Sequence, residues 1–75
     1  MTRTIQSEMT WLGLYGPLTA VAAVHAAKGQ PRHDRIIHAV VTLVRGGHDV
    51  RPGELGVLVD GATMSWRSLG DRYGR

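Results

Sequence analysis

The chain has 75 residues, a formal net charge of +3, a pI near 10.2 and no cysteine. This length allows one small domain over residues 1–75 with a thin stability margin, and the lack of cysteine excludes disulfides and thiolate metal sites. So small a domain rarely encloses a substrate, so we expect no enzyme; the basic charge favours nucleic acid or another acidic partner.

The first element follows a polar arm. Residues 1–8 contain one apolar branched side chain, Ile5, and we predict that they form a flexible arm. Met9–Tyr15 is predicted to be a short helix or turn that presents Trp11.

Met9–Ala27 carries no formal charge, yet we predict neither a membrane span nor a signal peptide there. A spanning helix needs about 20 strongly apolar residues. This stretch is rich in alanine and is broken at Gly16-Pro17. Pro17 instead opens a helix that runs to Lys28, and Gly29 ends it. We therefore expect no membrane association and a cytoplasmic protein.

Gln30–Arg45 is the second long element and has a broad apolar stripe. Pro31 and Asp34 are helix-start signals, and Gly46-Gly47 ends the element. So wide a stripe indicates burial on two sides or a dimer interface, and we expect a homodimer or a subunit of a complex. The residues predicted to face a partner are Ile37, Val41, Val44, Trp66 and Tyr73.

The same element also suits a strand, because IIHAVVTLV is rich in β-branched residues. In that alternative the fold is a small α+β domain with a hairpin at 36–60, whose turn lies at Gly46-Gly47. Neither segment of this hairpin alternates cleanly between apolar and polar residues, so we prefer the helix.

Arg51–Arg75 reads as two short helices joined by a turn. Pro52 suits the first position of a helix, and Gly61 can end that helix. Thr63 or Ser65 is expected to cap the second helix.

The order Pro-Gly-Glu-Leu-Gly-x-Leu-Val, a glycine-containing turn and then Ser-Trp-Arg-Ser-Leu resembles the helix-turn-helix of small excisionase-like and MerR-like DNA-binding proteins. We accordingly predict an all-α fold of three to five short helices with a C-terminal helix-turn-helix-like pair. The resemblance implies a small DNA-binding regulator or excisionase-like accessory factor that binds double-stranded DNA. On the last helix Arg67, Ser68 and Arg72 would face the major groove. Arg51 and Arg75 would contact the phosphates of the DNA backbone.

Arg32 and Arg35 lie near the start of a different helix, so we expect them to contribute less to DNA binding. Arginine greatly outnumbers lysine, and the accompanying alanine, glycine and valine are typical of GC-rich coding, as in actinobacteria and their phages.

Two alternatives remain open for this stretch. Gly61–Gly70 also resembles the first helix of another common helix-turn-helix, and in that register the chain stops before any recognition helix. The second functional hypothesis is a protein-interaction module, for example a small phage-type inhibitor that docks on a host protein.

The four histidines do not bring three or four ligands together at any spacing, so we predict no metal and no other cofactor. His25 falls on an apolar stripe and is predicted to lie in the core. Asp34 and His38 are four residues apart and are predicted to form a pair on the helix surface. No serine lies in a nucleophile motif, so no catalytic residue is predicted.

Overall fold

The computed structural model describes residues 5–75 and contains four helices and a three-stranded antiparallel sheet of strand order β1-β2-β3. In chain order the elements are α1 (Ile5–Tyr15), α2 (Leu18–Ala26), α3 (His33–Arg45), β1 (Val50–Pro52), β2 (Val57–Val59), β3 (Ala62–Met64) and α4 (Trp66–Tyr73). The fold is therefore α+β. The all-α prediction is wrong, and so is its C-terminal pair of helices.

Helix α3 lies at the centre of the fold and contacts α1, α2, α4 and β1. Its broad apolar stripe is buried by these elements of the same chain, which confirms the helix and excludes the strand alternative at residues 36–44. The buried core comprises Leu12, Ala20, Ala23, Val24, Ala27, Ile36, Ile37, Ala39, Val40, Val41, Leu43, Val50, Val57, Val59 and Leu69.

The segment predicted to be the first helix of the C-terminal pair forms the sheet instead. Val57 and Val59 of β2 are buried and Leu58 between them is half-buried, which is the two-residue period of a strand. Asp60 and Gly61 follow with φ angles of +51° and +86°. Positive φ at both central residues is the geometry of the tight turn that joins hairpin strands, so this pair determines the local structure.

Pro52 ends the edge strand β1 rather than starting a helix, a position where its missing N–H costs no ladder bond. Gly56 has φ +155°, and a Cβ there would clash with the Met64 carbonyl oxygen and lie 3.2 Å from Ser65 Cα. Only glycine lets these two chain segments pass so closely.

Helix α4 begins after Ser65, whose Oγ accepts a hydrogen bond of 3.1 Å from the Ser68 N–H. The predicted cap at Ser65 is thereby confirmed. The register that starts a helix at Gly61 is wrong, because Ala62–Met64 is strand β3.

The N-terminal helix is fixed by a polar contact inside the fold. Glu8 is 4% exposed, and its Oε2 accepts a hydrogen bond of 2.6 Å from His38 Nδ1. The predicted flexible arm, residues 1–8, falls partly outside the described residues, and residues 5–8 belong to α1. The helix predicted from Pro17 to Lys28 is α2, which ends at Ala26. Within residues 5–75, none of the helices has the length and apolar character needed to span a membrane.

Candidate functional site: an arginine-rimmed cleft

A cleft of about 410 Å³ opens between the start of α3 and helix α4. This volume lies within the range of ligand pockets in proteins. Three arginines line it, Arg32, Arg35 and Arg67, together with the apolar surface of Ile36 and Trp66. The remaining lining residues are Gln30, Pro31, Gly70 and Asp71.

The two arginines on the α3 side are placed by the way this helix begins. Arg32 has φ +57° and precedes α3 as its cap residue, and its carbonyl accepts a 3.0 Å hydrogen bond from the Arg35 N–H. Residues three apart at a helix start lie on the same side of the helix. Arg32 and Arg35 therefore line the same wall of the cleft.

The third arginine reaches the cleft because α4 packs closely on α3. A Cβ on Gly70 would lie 3.6 Å from the Cβ of Arg35, and one on Gly74 would lie 2.5 Å from the Arg35 carbonyl oxygen. Gly70 within α4 and Gly74 at its C-cap thus let this helix lie close to α3, and Arg67 on the same helix lines the cleft.

Arg67 is available for a ligand. Its side chain is 93% exposed, and its Nε lies 3.9 Å from Asp71 Oδ2 one helical turn later. An exposed ion pair at this distance contributes little stabilising free energy, so Asp71 does not hold the Arg67 guanidinium in place.

The charge of the cleft favours anions. Asp71 is the single acid among the described residues that line it, so three guanidinium groups leave a local charge of +2. Arginine stays protonated under all physiological conditions and binds phosphate or carboxylate oxygens in pairs. Trp66 adds a flat apolar surface to this cationic rim.

One of the five predicted DNA-binding residues lines the cleft. Arg67 lies in the cleft, whereas Ser68, Arg72 and Arg75 are not among its lining residues. Arg72 follows Arg67 by five positions, which is about 140° around a helix. Arg51 is on β1, where its Nε donates a 2.8 Å hydrogen bond to Asp49 Oδ2.

Arg32 and Arg35 were predicted to contribute less, and they are the neighbours of Arg67 in the cleft. Their three-residue spacing at a helix start indicates a shared face. The spacing of Arg32 and Arg35 does not indicate that α4 packs beside these two arginines.

The predicted partner-facing residues belong to the core or its margin. Ile37 and Val41 are 3% and 0% exposed, so the chain itself covers them. The other three, Val44, Trp66 and Tyr73, are half-buried and packed against the core. Within residues 7–75, the large exposed apolar side chains are instead Leu14, Tyr15, Leu18 and Leu55.

Three of the four histidines, His33, His38 and His48, each make a separate contact. His33 Nε2 lies 3.1 Å from the Val24 carbonyl oxygen, and His38 bonds Glu8 rather than the predicted Asp34. His25 is exposed, so its predicted place in the core is wrong. No group of three potential metal ligands occurs within residues 5–75.

His48 lies beside the turn of the β2–β3 hairpin and bonds a residue of that turn. Its Nδ1 donates to Asp60 Oδ2 at 2.7 Å, while Asp60 Oδ1 accepts a 2.9 Å bond from the Asp49 N–H. The backbone bond from Asp49 and then the bond from His48 lower the pKa of Asp60.

Comparisons with protein-family models, with curated proteins and with solved structures find no match to this chain.

Proposed function

We propose that this chain is a small, non-enzymatic DNA-binding protein whose main contact with DNA is the arginine-rimmed cleft. The observation that carries the proposal is the convergence of Arg32, Arg35 and Arg67 on one open surface. The first two come from the start of α3 and the third from α4. A cytoplasmic regulator or accessory factor on duplex DNA is the role that suits such a module.

The exposure of these arginines supports phosphate binding. All three are exposed, and Arg67 has only the loose contact with Asp71. Arg72 and Arg75 are also exposed and extend the basic surface beyond the cleft. Arg51 is already paired with Asp49, so we expect a smaller contribution from it.

The salt dependence of binding to a mixed-sequence duplex tests this proposal. Three phosphate contacts give a slope of roughly −3 in a plot of log K against log salt concentration. Arg67→Ala or Arg35→Ala removes one contact, so the slope should become shallower by about 1. Fluorescence anisotropy of a labelled duplex at several salt concentrations measures both quantities.

Arg45→Ala is the matched control, because it removes the same charge from the far end of α3. Arg45 lies ten positions after Arg35, or about 15 Å along the helix. An equal loss in Arg45→Ala would show that overall charge, and not the cleft, determines binding. Failure of the wild type to bind more tightly than about 10⁻⁴ M at low salt would end the proposal.

A second candidate function, docking on another protein, is supported by an apolar corner made of Leu14, Tyr15 and Leu18. These side chains are 69%, 73% and 85% exposed where α1 turns into α2. Exposed apolar clusters mark interaction sites in soluble proteins. None of the three residues lines the cleft, so one chain can carry both activities.

A further inference from the structure

We infer that the cleft between α3 and α4 holds a single unpaired nucleotide, with its base against Trp66 and its phosphate on the arginines. The inference rests on the proposed function for the source of the ligand, a DNA strand. The chemistry is that of any nucleoside monophosphate, so a free nucleotide is a second source of the same group.

The apolar wall of the cleft is the feature that favours a ligand with a nucleobase. Trp66 is half-buried, packs against the core on one side and lines the cleft together with Ile36 and Pro31. A phosphate alone gains nothing from such a wall. A nucleobase does, because every base has a π-face that stacks on an aromatic ring.

The cationic rim of the cleft is the feature that favours a ligand with a phosphate group. Arg32 and Arg35 line the α3 side, and Arg67 follows Trp66 directly on the α4 side. Because Trp66 and the three arginines line one cleft, a base lying on Trp66 has its phosphate beside a rim that carries guanidinium groups from two elements. Such groups grip phosphate oxygens in pairs.

Asp71 accounts for a preference among bases. An ionised carboxylate only accepts hydrogen bonds, so it repels a bare phosphate and attracts an exocyclic amine. Adenine, cytosine and guanine carry such an amine. Thymine has no amine, and its N3–H donor lies between two carbonyl oxygens that repel a carboxylate. The cleft should therefore bind deoxyadenosine monophosphate more tightly than thymidine monophosphate.

The size of the cleft accounts for the unpaired state. A space of about 410 Å³ admits one nucleotide-sized ligand, and not a base pair within its stack. A base inside a duplex must leave the stack before it can reach a pocket, which costs energy that a single strand does not pay. Duplex phosphates can still contact the arginines of the rim, but unpaired strands and strand ends should bind more tightly than blunt duplex, because only they can also place a base in the cleft.

The fluorescence of Trp66 tests the inference directly. In a Trp11→Phe variant Trp66 is the remaining tryptophan, and a stacked base should quench it. We expect saturable quenching by deoxyadenosine monophosphate and by an oligo-deoxyadenylate strand. Inorganic phosphate at equal concentration should leave the signal unchanged. Quenching by the free nucleotide as strong as by the strand identifies a mononucleotide site, whereas tighter strand binding identifies DNA as the source.

Variants distinguish nucleotide binding in the cleft from a general effect of the net charge of the protein. Arg35→Gln and Arg67→Gln should each weaken nucleotide binding about tenfold, while Arg45→Gln should not change it. Asp71→Asn should abolish the preference for deoxyadenosine over thymidine monophosphate. Because Trp66 also packs on the core, Trp66→Leu is compared by calorimetric titration only after circular dichroism shows a folded protein.

Three results would overturn the inference. The first is the absence of quenching by any nucleotide at millimolar concentration. The second is equal displacement by an acidic peptide, which would indicate a carboxylate site in a protein partner. The third is equal affinity for blunt duplex and single strand with Trp66 unquenched, in which case the DNA-binding proposal stands and the nucleotide pocket does not.

Discussion

The carboxyl group of Asp60 shows how one residue can fix a turn. It accepts bonds from the Asp49 N–H and from His48, and its own φ of +51° begins the tight turn. Both bonds favour the charged carboxylate and lower the pKa of Asp60 below its ordinary value of 3.8.

Asp60→Asn should therefore change how stability depends on pH. A lowered pKa stabilises the fold above the ordinary pKa of the group, and this stability is lost as pH falls through the folded-state pKa. Asparagine tolerates positive φ, so the turn is retained. The urea midpoint of the wild type, relative to that of the variant, should be constant above about pH 5 and decline in acid.

Because Asp60 is exposed, this effect should be small and should shrink with added salt. A difference between the two proteins that stays the same from neutral to acidic pH would contradict the assignment.

The bond between Glu8 and His38 illustrates what the sequence does not reveal at this scale. The two residues are thirty positions apart, so no local spacing connects them. Our prediction paired His38 with Asp34, its neighbour on the helix, because sequence spacing reports neighbours within an element and not between elements.

The close contact between α3 and the end of α4 depends on one small residue, Gly74. Gly74 has φ −93°, an ordinary conformation for any residue, so steric contact alone limits the side chain there. A Cβ would press on the Arg35 carbonyl oxygen, which is backbone and cannot move away freely.

Gly74→Ala should lower the free energy of unfolding by about 1–3 kcal/mol, because it overpacks this contact. Gly13→Ala is the matched control, since Gly13 is exposed in α1 with nothing within 4 Å of its added Cβ. The control should raise stability by about 0.5–1 kcal/mol through helix propensity. Urea denaturation measures both, and equal signs for the two variants would contradict the close packing.

The elements divide clearly into those that periodicity predicts and those that it does not. Helix α3 was predicted because its stripe, its start and its stop agree over more than three turns. The sheet was missed because each strand has three residues, too few to show a period. Pro52 indicates a helix start in the sequence, but Asp60-Gly61 after the apolar run Val57–Val59 is the stronger signal, and it indicates a hairpin.

Only part of the cleft could be predicted, because a sequence pattern reports on one element at a time and the cleft is formed by two. Arg67 was identified on the last helix, whereas Arg32 and Arg35 were set aside because they belong to another element. Their assembly depends on how α4 packs against α3, and only the spacing of Gly70 and Gly74 records that packing in the sequence.

At the scale of the whole molecule, the chain covers its own core. The stripe on α3 that suggested a dimer is buried against other elements of the same chain. Any association must therefore use another surface. The corner of Leu14, Tyr15 and Leu18 is an exposed apolar surface in the described part of the chain. We propose that, in the absence of another protein partner, a second copy of the chain occupies this same corner.

Leu18→Glu should abolish self-association, because it places a charge in the middle of this corner. Leu55→Glu is the matched control, since Leu55 is 87% exposed but lies alone in the turn between β1 and β2. Sedimentation at tens of micromolar should show the wild type and the control associating and the corner variant monomeric. Identical sedimentation of the two variants would rule out the corner as an interface.

The place of α4 in the chain has a consequence for timing during synthesis. Arg32 and Arg35 leave the ribosome with α3, and Arg67 follows only with α4, the last of the described elements. The two walls of the cleft therefore meet after every other described element has been made. A nascent or truncated copy that lacks α4 still presents most of the apolar core but has no complete cleft. DNA binding would thus be confined to copies whose synthesis has passed this point.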